Sequence, residues 1–245
     1  MRKQKGGGGL EQQTLETTEQ VFDFLIAPAN VGRKRLYRGV SSTEHRLIPS
    51  LGRVKALQVL EEEERAIREQ DLMDGFRKHA RPYFESGLPD EWELLAIAQH
   101  HGLPTRLLDW SRNPLVAAYF AVESQSANDC CIYTHTINRF TSIDAVPDPY
   151  SIETTMTVEM PHVTRRITAQ SGVFTVSEDP FAALDDGEES GLEIGRYIIP
   201  HALKRDVLLR LHQLGVNRAT LFPSAEGIAQ YLKWELENSG EANAD

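Results

Sequence analysis

The hydrophobic positions are densest between residues 91 and 122, where they begin with a predicted buried helix. Asp90 and Glu93 have the spacing of a capping box, in which each side chain satisfies an orphan amide of the first turn. The apolar positions that follow cover nearly every direction around a helix axis: Trp92, Leu94, Leu95, Ala96, Ile97 and Ala98. A helix that is apolar on all sides is buried. Gly102 supplies a left-handed stop, so this helix ends before it.

A short extended run and a second buried helix follow. Pro104 makes Leu103 extended, and successive side chains of a strand point to opposite faces. This alternation puts Thr105, Leu107 and Asp109 on one side, with Arg106, Leu108 and Trp110 on the other. Asn113 is placed to cap the next helix, with Pro114 in the first-turn position that suits its missing donor.

The remaining pattern predicts short strands and helices around this centre. Strands are predicted at residues 33–40, 130–134, 165–176, 195–199 and 219–222, and helices from residue 14, over 57–80 and 201–214, and from a cap at Ser224 to residue 236. Residues 138–161 and 178–191 are predicted loops. The fold class is therefore α+β, a single domain over residues 14–236 with helices packed on short mixed or antiparallel strands. Residues 1–13, which contain four consecutive glycines, are a predicted disordered leader, and residues 237–245 a flexible tail.

Composition narrows the classes of function. The chain is 40% hydrophobic and 25% charged, which is ordinary for a soluble globular protein. A net charge of -10 argues against a broad nucleic-acid-coating surface but leaves room for a local basic cleft. No stretch is long enough to span a membrane. The adjacent Cys130 and Cys131 face opposite ways in a strand, so a disulfide between them is not expected, and we predict a reducing, cytoplasmic location.

Polar residues gather at the junctions between the predicted buried elements. They are Gln99, His100, His101, Thr105, Arg106, Asp109, Ser111, Arg112 and Asn113. Polar groups beside buried elements must be hydrogen-bonded or they reduce stability. These residues therefore form a structural network or line a site. No metal-ligand cluster and no phosphate-binding glycine loop occurs in the sequence, so no metal site is predicted.

Two blocks of the sequence resemble the FRG domain family. Tyr37, Arg38 and Gly39 match its aromatic-Arg-Gly motif, and Gln99, His100, residues 102–110 and Asn113-Pro114 match its second signature. The segments at 170–174 and 221–223 resemble later family blocks. The resemblance covers residues 37–234 and implies a site built by these blocks.

Arg38 is the sharpest single candidate. An arginine in an apolar strand, followed by a glycine that admits a ligand, suits a phosphate or carboxylate binder. This Arg-Gly strand also resembles the first motif of the ADP-ribosyltransferase superfamily, in which the arginine contacts NAD. The alternative is a buried arginine in a structural salt bridge with Asp109. Both interpretations stay open at this point.

The same superfamily resemblance implies roles for other residues. Ser111, at a strand end before a helix, would orient a ribose or Arg38, or it is a plain hydroxyl near a helix N-terminus. Gln170 lies where a catalytic glutamate would stand, and the nearest downstream carboxylate is Glu178. His100 is a candidate acid or base, whereas His101 fits a helix C-terminal position.

Two classes of function follow from these candidates. The first is an ADP-ribosyltransferase-like enzyme, with NAD as substrate and a macromolecular target, in bacterial conflict or phage defence. Its catalytic residues would be Arg38, His100 and Gln170, and its NAD-binding residues Arg38, Gly39 and Ser111. The second is a non-catalytic module that binds a nucleotide or nucleic acid in the same cleft. No acid lies two residues after Gln170, and this favours the module.

Overall fold

A computed structural model describes residues 11–27, 35–84, 87–124, 126–160, 165–186 and 192–238. Within them the strands are β1 (Glu11–Thr14), β2 (Arg35–Val40), β3 (Leu108–Ser111), β4 (Cys130–Thr136), β5 (Met156–Val158), β6 (Gly172–Val176) and β7 (Glu193–Ile199). The helices are α1 (Thr18–Leu25), α2 (Lys55–Gln58), α3 (Glu62–Ala80), α4 (Glu91–His100), α5 (Pro114–Val122), α6 (Arg165–Ala169), α7 (Lys204–Gln213), α8 (Arg218–Leu221) and α9 (Ala225–Asn238). Single 3₁₀ turns lie at Leu51–Arg53, Arg81–Tyr83, Ile143–Ala145 and His201–Leu203.

All seven strands form one mixed sheet in the order β1-β7-β4-β2-β3-β6-β5. The β1 and β7 strands are parallel, and every other neighbouring pair is antiparallel. The β2 and β3 strands are neighbours near the centre of the sheet, so the two motif blocks of the sequence lie side by side. This architecture confirms the predicted α+β class with helices on mixed strands.

The two central helices form as their caps predict. The Glu93 amide donates to Asp90 Oδ1 at 2.8 Å, and the Asp90 amide donates to Glu93 Oε2, which completes the capping box of α4. Asn113 Oδ1 accepts the Leu115 amide at 2.9 Å and so caps α5. Gly102 has the expected positive φ of 87°. Local capping residues therefore fix the start and end of α4 and the start of α5.

Helix α5 packs directly on β2, and Gly39 is the residue that makes this approach possible. A β-carbon on Gly39 would lie 1.8 Å from the Ala117 carbonyl oxygen and 2.6 Å from the Ala121 amide nitrogen. Together with α1 and α7, α5 builds an apolar layer on this face of the sheet. The opposite face of the central strands carries a second apolar cluster that includes Leu36, Val40, Leu108 and Trp110.

Helix α4 belongs to a third cluster, together with residues of α3, β5 and β6. A buried ion pair fixes this region to the rest of the fold: Arg106 Nε and Nη2 donate to the two carboxylate oxygens of Glu69 on α3 at 2.8 and 2.6 Å. Arg106 Nη1 also donates to the Pro149 carbonyl at 3.0 Å. Both charged side chains are at most 7% exposed. Through these hydrogen bonds Arg106 connects the segment before β3 with α3 and with the 138–155 loop.

Several predicted elements are wrong. Residues 11–13, predicted as part of a disordered leader, form β1 with Thr14, because their backbone pairs with β7. The strand predicted over residues 219–222 is replaced by α8, which ends at Leu221 with Phe222 as its C-cap, because Asn217 and Thr220 form a capping box. Residues 165–169, predicted as strand, form α6, and only the following residues continue as β6.

Other differences concern boundaries and loops. The helix predicted over 57–80 is divided into α2 and α3. The 138–161 loop contains β5, which pairs with β6. Of the acidic segment predicted as a loop over 178–191, the described residues 178–186 are partly buried, with Leu184 only 3% exposed. Residues 1–10 and 239–245, and therefore most of both predicted flexible ends, lie outside the described residues. Cys130 and Cys131 are both free and buried in different apolar clusters, as their alternation predicted.

His135 makes the fold sensitive to acid. Its side chain is buried beside Trp110, and its Nε2 lies 3.1 Å from Thr157 Oγ1. Burial lowers its pKa from 6.5 to about 4, so the folded state keeps a neutral imidazole where the unfolded chain takes up a proton. As the pH falls from about 6.5 to 4, this difference removes on the order of 3 kcal/mol of stability.

Urea melts at a series of pH values test this contribution. The wild type should lose more stability between pH 6.5 and pH 4 than His135→Gln, whose side chain does not titrate. The comparison with the variant removes the contribution of the carboxylates, which both proteins share. Equal losses in the two proteins would show that His135 does not resist protonation.

Candidate functional site

A cleft opens where the two motif-bearing strands meet. The β2 and β3 strands are antiparallel and pair at a single position, Tyr37 with Ser111. The residues after Tyr37 on β2 and those before Ser111 on β3 line a cavity of about 350 Å³. The other walls come from α4, α5, α6 and the segments after β2. The residues that face the cavity are Tyr37, Arg38, Gly39, Val40, Ser41, His45, Arg46, Arg53, Ala96, Gln99, His100, Asp109, Trp110, Ser111, Val116, Ala117, Phe120, Arg166, Ile167, Gln170, Gly172 and Phe174.

The charges of this lining are unbalanced. Four arginines line the cavity, Arg38, Arg46, Arg53 and Arg166, whereas the one carboxylate in the described lining is Asp109. The whole chain has a net charge of -10, so the excess of positive charge is a local property of the cleft. A cleft lined by one sign of charge concentrates ligands of the opposite sign.

Arg38 and Asp109 form the ion pair that the sequence left open. Arg38 Nη1 donates to the Asp109 backbone oxygen and to Oδ2, both at 2.7 Å. The pair is not sealed from the cleft, because the Asp109 side chain is 51% exposed and that of Arg38 is 16% exposed. The Arg38 Nε is buried and has no hydrogen-bond partner within the described part of the chain. The two interpretations of Arg38 are thus compatible: it is a structural partner of Asp109 and also a wall of the cavity.

The other arginines differ in what holds them. Arg46 donates to Asp185 and Asp186, and these contacts raise its pKa. Arg53 and Arg166 form no ion pair with a carboxylate among the described residues. Burial lowers the pKa of both guanidinium groups, and in Arg53 the like charge of Arg38 lowers it further.

Arg166 is held by a ring instead of a carboxylate. Its guanidinium lies 4.6 Å from the centre of the Phe222 ring. Asp109 attracts both Arg53 and Arg166, but contacts neither of them through a hydrogen bond in the described structure. The structure therefore presents two guanidinium groups whose donors are available to a bound anion.

Ser111 and Gln170 are brought together, and both side chains already form hydrogen bonds within the fold. The Ser111 hydroxyl donates to the Gln170 backbone oxygen at 2.7 Å and accepts the Asn113 amide at 3.0 Å. Gln170 Nε2 donates to the Leu221 carbonyl at 3.2 Å. Both residues line the cleft, and their hydrogen bonds join β3 to the turn before β6. This is the geometry of the plain hydroxyl that the sequence offered as an alternative for Ser111.

His100 faces the cavity near the end of α4. Burial lowers its pKa, and the nearby His101 and Arg166 lower it further, so the imidazole is neutral at neutral pH. Its Nδ1 is buried and finds no hydrogen-bond partner among the residues that the structure describes. His101 caps the helix end, is exposed and does not line the cavity.

Gly39 lines the cavity and also has a packing role that its sequence position did not indicate. The space that a side chain would take is filled by the backbone of α5, so the glycine serves the packing of that helix. Glu178, the nearest downstream carboxylate, is exposed and is not part of the lining. The carboxylate beside the arginines is instead Asp109, which the sequence placed in a salt bridge with Arg38 and among the polar residues at the buried junctions.

Sequence reasoning missed Arg53 and Arg166 as site residues. Arg53 lies in a 3₁₀ turn and Arg166 in a short helix, and neither position belongs to a recognisable motif. Asp109 and Gln99 carried a signal, because both stood among the polar residues at buried junctions. Among the described residues, no group of three His, Cys, Asp or Glu side chains is arranged to hold a metal ion. No helix in the described part of the chain has the length and apolar character needed to cross a membrane.

Comparison with known proteins gives one match. The family model of the FRG domain matches residues 33–130, which include β2, α4, β3 and α5. The segments at 170–174 and 221–223 lie outside that match. Searches of the curated proteins and of the solved structures gave no match, and the resemblance to the ADP-ribosyltransferase superfamily is not supported. Residues 33–130, which carry both sequence motifs and most of the cleft lining, are thus similar to the FRG domain family.

Proposed function

We propose that the cleft between β2 and β3 binds a nucleotide, with NAD as the candidate ligand. The observation that carries this proposal is the pair Arg53 and Arg166, two guanidinium groups at one cavity without a carboxylate partner among the described residues. Guanidinium groups bind phosphate oxygens through two parallel hydrogen bonds. A pyrophosphate bridge would give each arginine an anionic partner.

The rest of the lining favours a nucleotide over a simple anion. A cavity of about 350 Å³ lies within the range of small-molecule sites. Phe120, Ile167 and Phe174 supply apolar surface for a base, while the arginines supply the contacts for phosphates. A long nucleic acid is less well suited, because the positive charge is confined to this cleft of an acidic chain.

The geometry supports binding better than catalysis. Both Asp109 carboxylate oxygens already accept hydrogen bonds, one from Arg38 and one from Gln99. A second candidate function, ADP-ribosyl transfer to a macromolecular target, is favoured by one observation: Asp109 remains half exposed in the same cavity as the neutral His100. A carboxylate there would stabilise positive charge that develops on a ribose. The setting that we propose is cytoplasmic, in phage defence, as the family resemblance implies.

Thermal melts with NAD test the binding proposal. NAD at about 100 times its dissociation constant should stabilise the wild type by roughly 2.7 kcal/mol. Arg53→Ala and Arg166→Ala should each weaken NAD binding by roughly tenfold or more, since a hydrogen bond to a charged group contributes about 1.5–3 kcal/mol. Arg68→Ala is the matched control, because Arg68 lies on α3 in an exposed pair with Glu64 and does not line the cleft.

The outcomes separate the two functions. No NAD-dependent rise in the wild type, or equal rises in wild type, Arg53→Ala and Arg166→Ala, would contradict a nucleotide site in this cleft. Labelled NAD incubated with the protein and a cell lysate then distinguishes module from enzyme. Retention of intact NAD indicates a binding module, whereas transfer of label to a macromolecule, lost in Asp109→Asn, indicates the transferase.

A further inference from the structure

A chain of hydrogen bonds leads from a buried threonine to the cleft. The Thr105 hydroxyl donates to Gln99 Oε1 at 2.6 Å, and Gln99 Nε2 donates to Asp109 Oδ1. The other Asp109 oxygen, Oδ2, accepts Arg38 Nη1 at 2.7 Å. Thr105 is 1% exposed and does not line the cavity, whereas the other three residues do.

The direction of this chain is fixed by chemistry. A carboxylate only accepts hydrogen bonds, so Gln99 must turn its amide nitrogen towards Asp109 and its oxygen towards Thr105. The Thr105 hydroxyl supplies the donor that this orientation requires. We call the hydrogen bonds from Thr105 through Gln99 and Asp109 to Arg38 the relay. Without the Thr105 hydroxyl, the Gln99 oxygen has no partner in the relay, and the side-chain amide of Gln99 is free to rotate away from Asp109.

The Thr105 backbone is anchored independently of its hydroxyl. Its amide donates to Ser50 Oγ at 3.0 Å, and its carbonyl accepts the Leu51 amide at 3.1 Å. Leu51 begins the 3₁₀ turn that ends at Arg53. One buried residue thus holds the turn of Arg53 through its backbone, and the pair of Asp109 and Arg38 through its side chain.

We propose that Thr105 and Gln99 are positioning residues for the nucleotide site. They act by fixing the carboxylate of Asp109, and through it the guanidinium of Arg38, in the orientation that a ligand meets. This inference rests on the proposed function and adds the residues that preorganise the site. Preorganisation raises affinity because less side-chain freedom is lost when the ligand binds.

Titration calorimetry with NAD tests the relay in Thr105→Val and Thr105→Ser. Valine keeps the shape of threonine and removes the hydroxyl, and we expect NAD to bind about fivefold more weakly, the effect of one neutral hydrogen bond. Serine keeps the hydroxyl and should bind NAD as the wild type does. Neither substitution changes the backbone contacts of residue 105 to Ser50 and Leu51. The position of Arg53 should therefore be the same in both variants, and a difference in affinity reports on the side chain of residue 105.

A Gln99→Ala background distinguishes the relay from a general loss of order. The Thr105 hydroxyl also lies 3.4 Å from the Leu107 amide, a contact that Gln99→Ala leaves in place. If Thr105 acts through Gln99, Thr105→Val should change the affinity for NAD by less than about twofold once Gln99 is alanine.

Each result has a definite meaning. Absence of NAD binding to the wild type contradicts the proposed function, and the relay with it. If the wild type binds NAD, equal affinities for wild type and Thr105→Val would overturn the relay alone. A fivefold loss that persists in the Gln99→Ala background, or that serine fails to rescue, would overturn it as well.

Discussion

Gly39→Ala is expected to destabilise the protein by about 3 kcal/mol or more, at the upper end of what overpacking costs. The added methyl group would lie 1.8 Å from the Ala117 carbonyl oxygen, far inside van der Waals contact. The obstacle is helix backbone and not a flexible side chain, so α5 would have to move away from β2 as a unit. Chemical denaturation of wild type and variant measures the loss.

Gly75→Ala is the matched control for this prediction. Gly75 lies inside α3, and a β-carbon there meets no other atom within 4 Å. Alanine is the better helix former by roughly 0.5–1 kcal/mol, so this variant should be slightly more stable than the wild type. A Gly39→Ala protein as stable as Gly75→Ala would show that α5 does not rest on β2 as described.

The second large effect concerns the buried ion pair of Arg106 and Glu69. Arg106→Ala leaves a carboxylate that is 5% exposed without its two guanidinium hydrogen bonds, and should cost about 3–5 kcal/mol. The arginine also packs over the Tyr150 ring at 5.0 Å and binds the Pro149 carbonyl, so the 138–155 loop should become more accessible to protease. Urea melts and limited proteolysis measure the two consequences.

An exposed pair and a double substitution complete that experiment. Arg68→Ala breaks the pair with Glu64, whose side chains are about half exposed, and should change stability by less than about 1 kcal/mol. Replacing both buried partners, as in Arg106→Met with Glu69→Leu, should recover much of the loss, because no uncompensated charge remains. A single Arg106→Ala variant as stable as Arg68→Ala would refute a buried pair at this position.

How far the sequence predicts this fold depends on whether the signal is local. Asp90, Asn113 and Gly102 act within one turn of their own helices, and each of these predictions is confirmed. The strand β1 was not predicted, because residues 11–14 have no strong pattern of their own and their partner, β7, lies far away in the sequence. The prediction at α8 was wrong for a different reason. Four apolar and β-branched residues indicated a strand, but the capping box at Asn217 stabilises a helix there.

In the candidate site, too, the residues in local motifs were predicted and those brought in by distant contacts were not. Arg38, His100, Ser111 and Gln170 were chosen from motif positions, and the structure brings all four to one cavity. Arg53 and Arg166 could not be found in this way, because only the tertiary fold brings a 3₁₀ turn and a short helix to the same carboxylate. Asp109 was recognised as a partner of Arg38, but its half-exposed position follows from the separation of β2 and β3, which a sequence does not show.

A crystal structure of the protein grown with NAD tests the central claim most directly. The account predicts that the ligand occupies the cavity between β2 and β3, with its phosphates within hydrogen-bonding distance of Arg53 and Arg166 and close to Arg38. NAD bound at another surface, or a cavity without NAD in crystals of a protein that binds NAD in solution, would contradict a nucleotide site at this cleft.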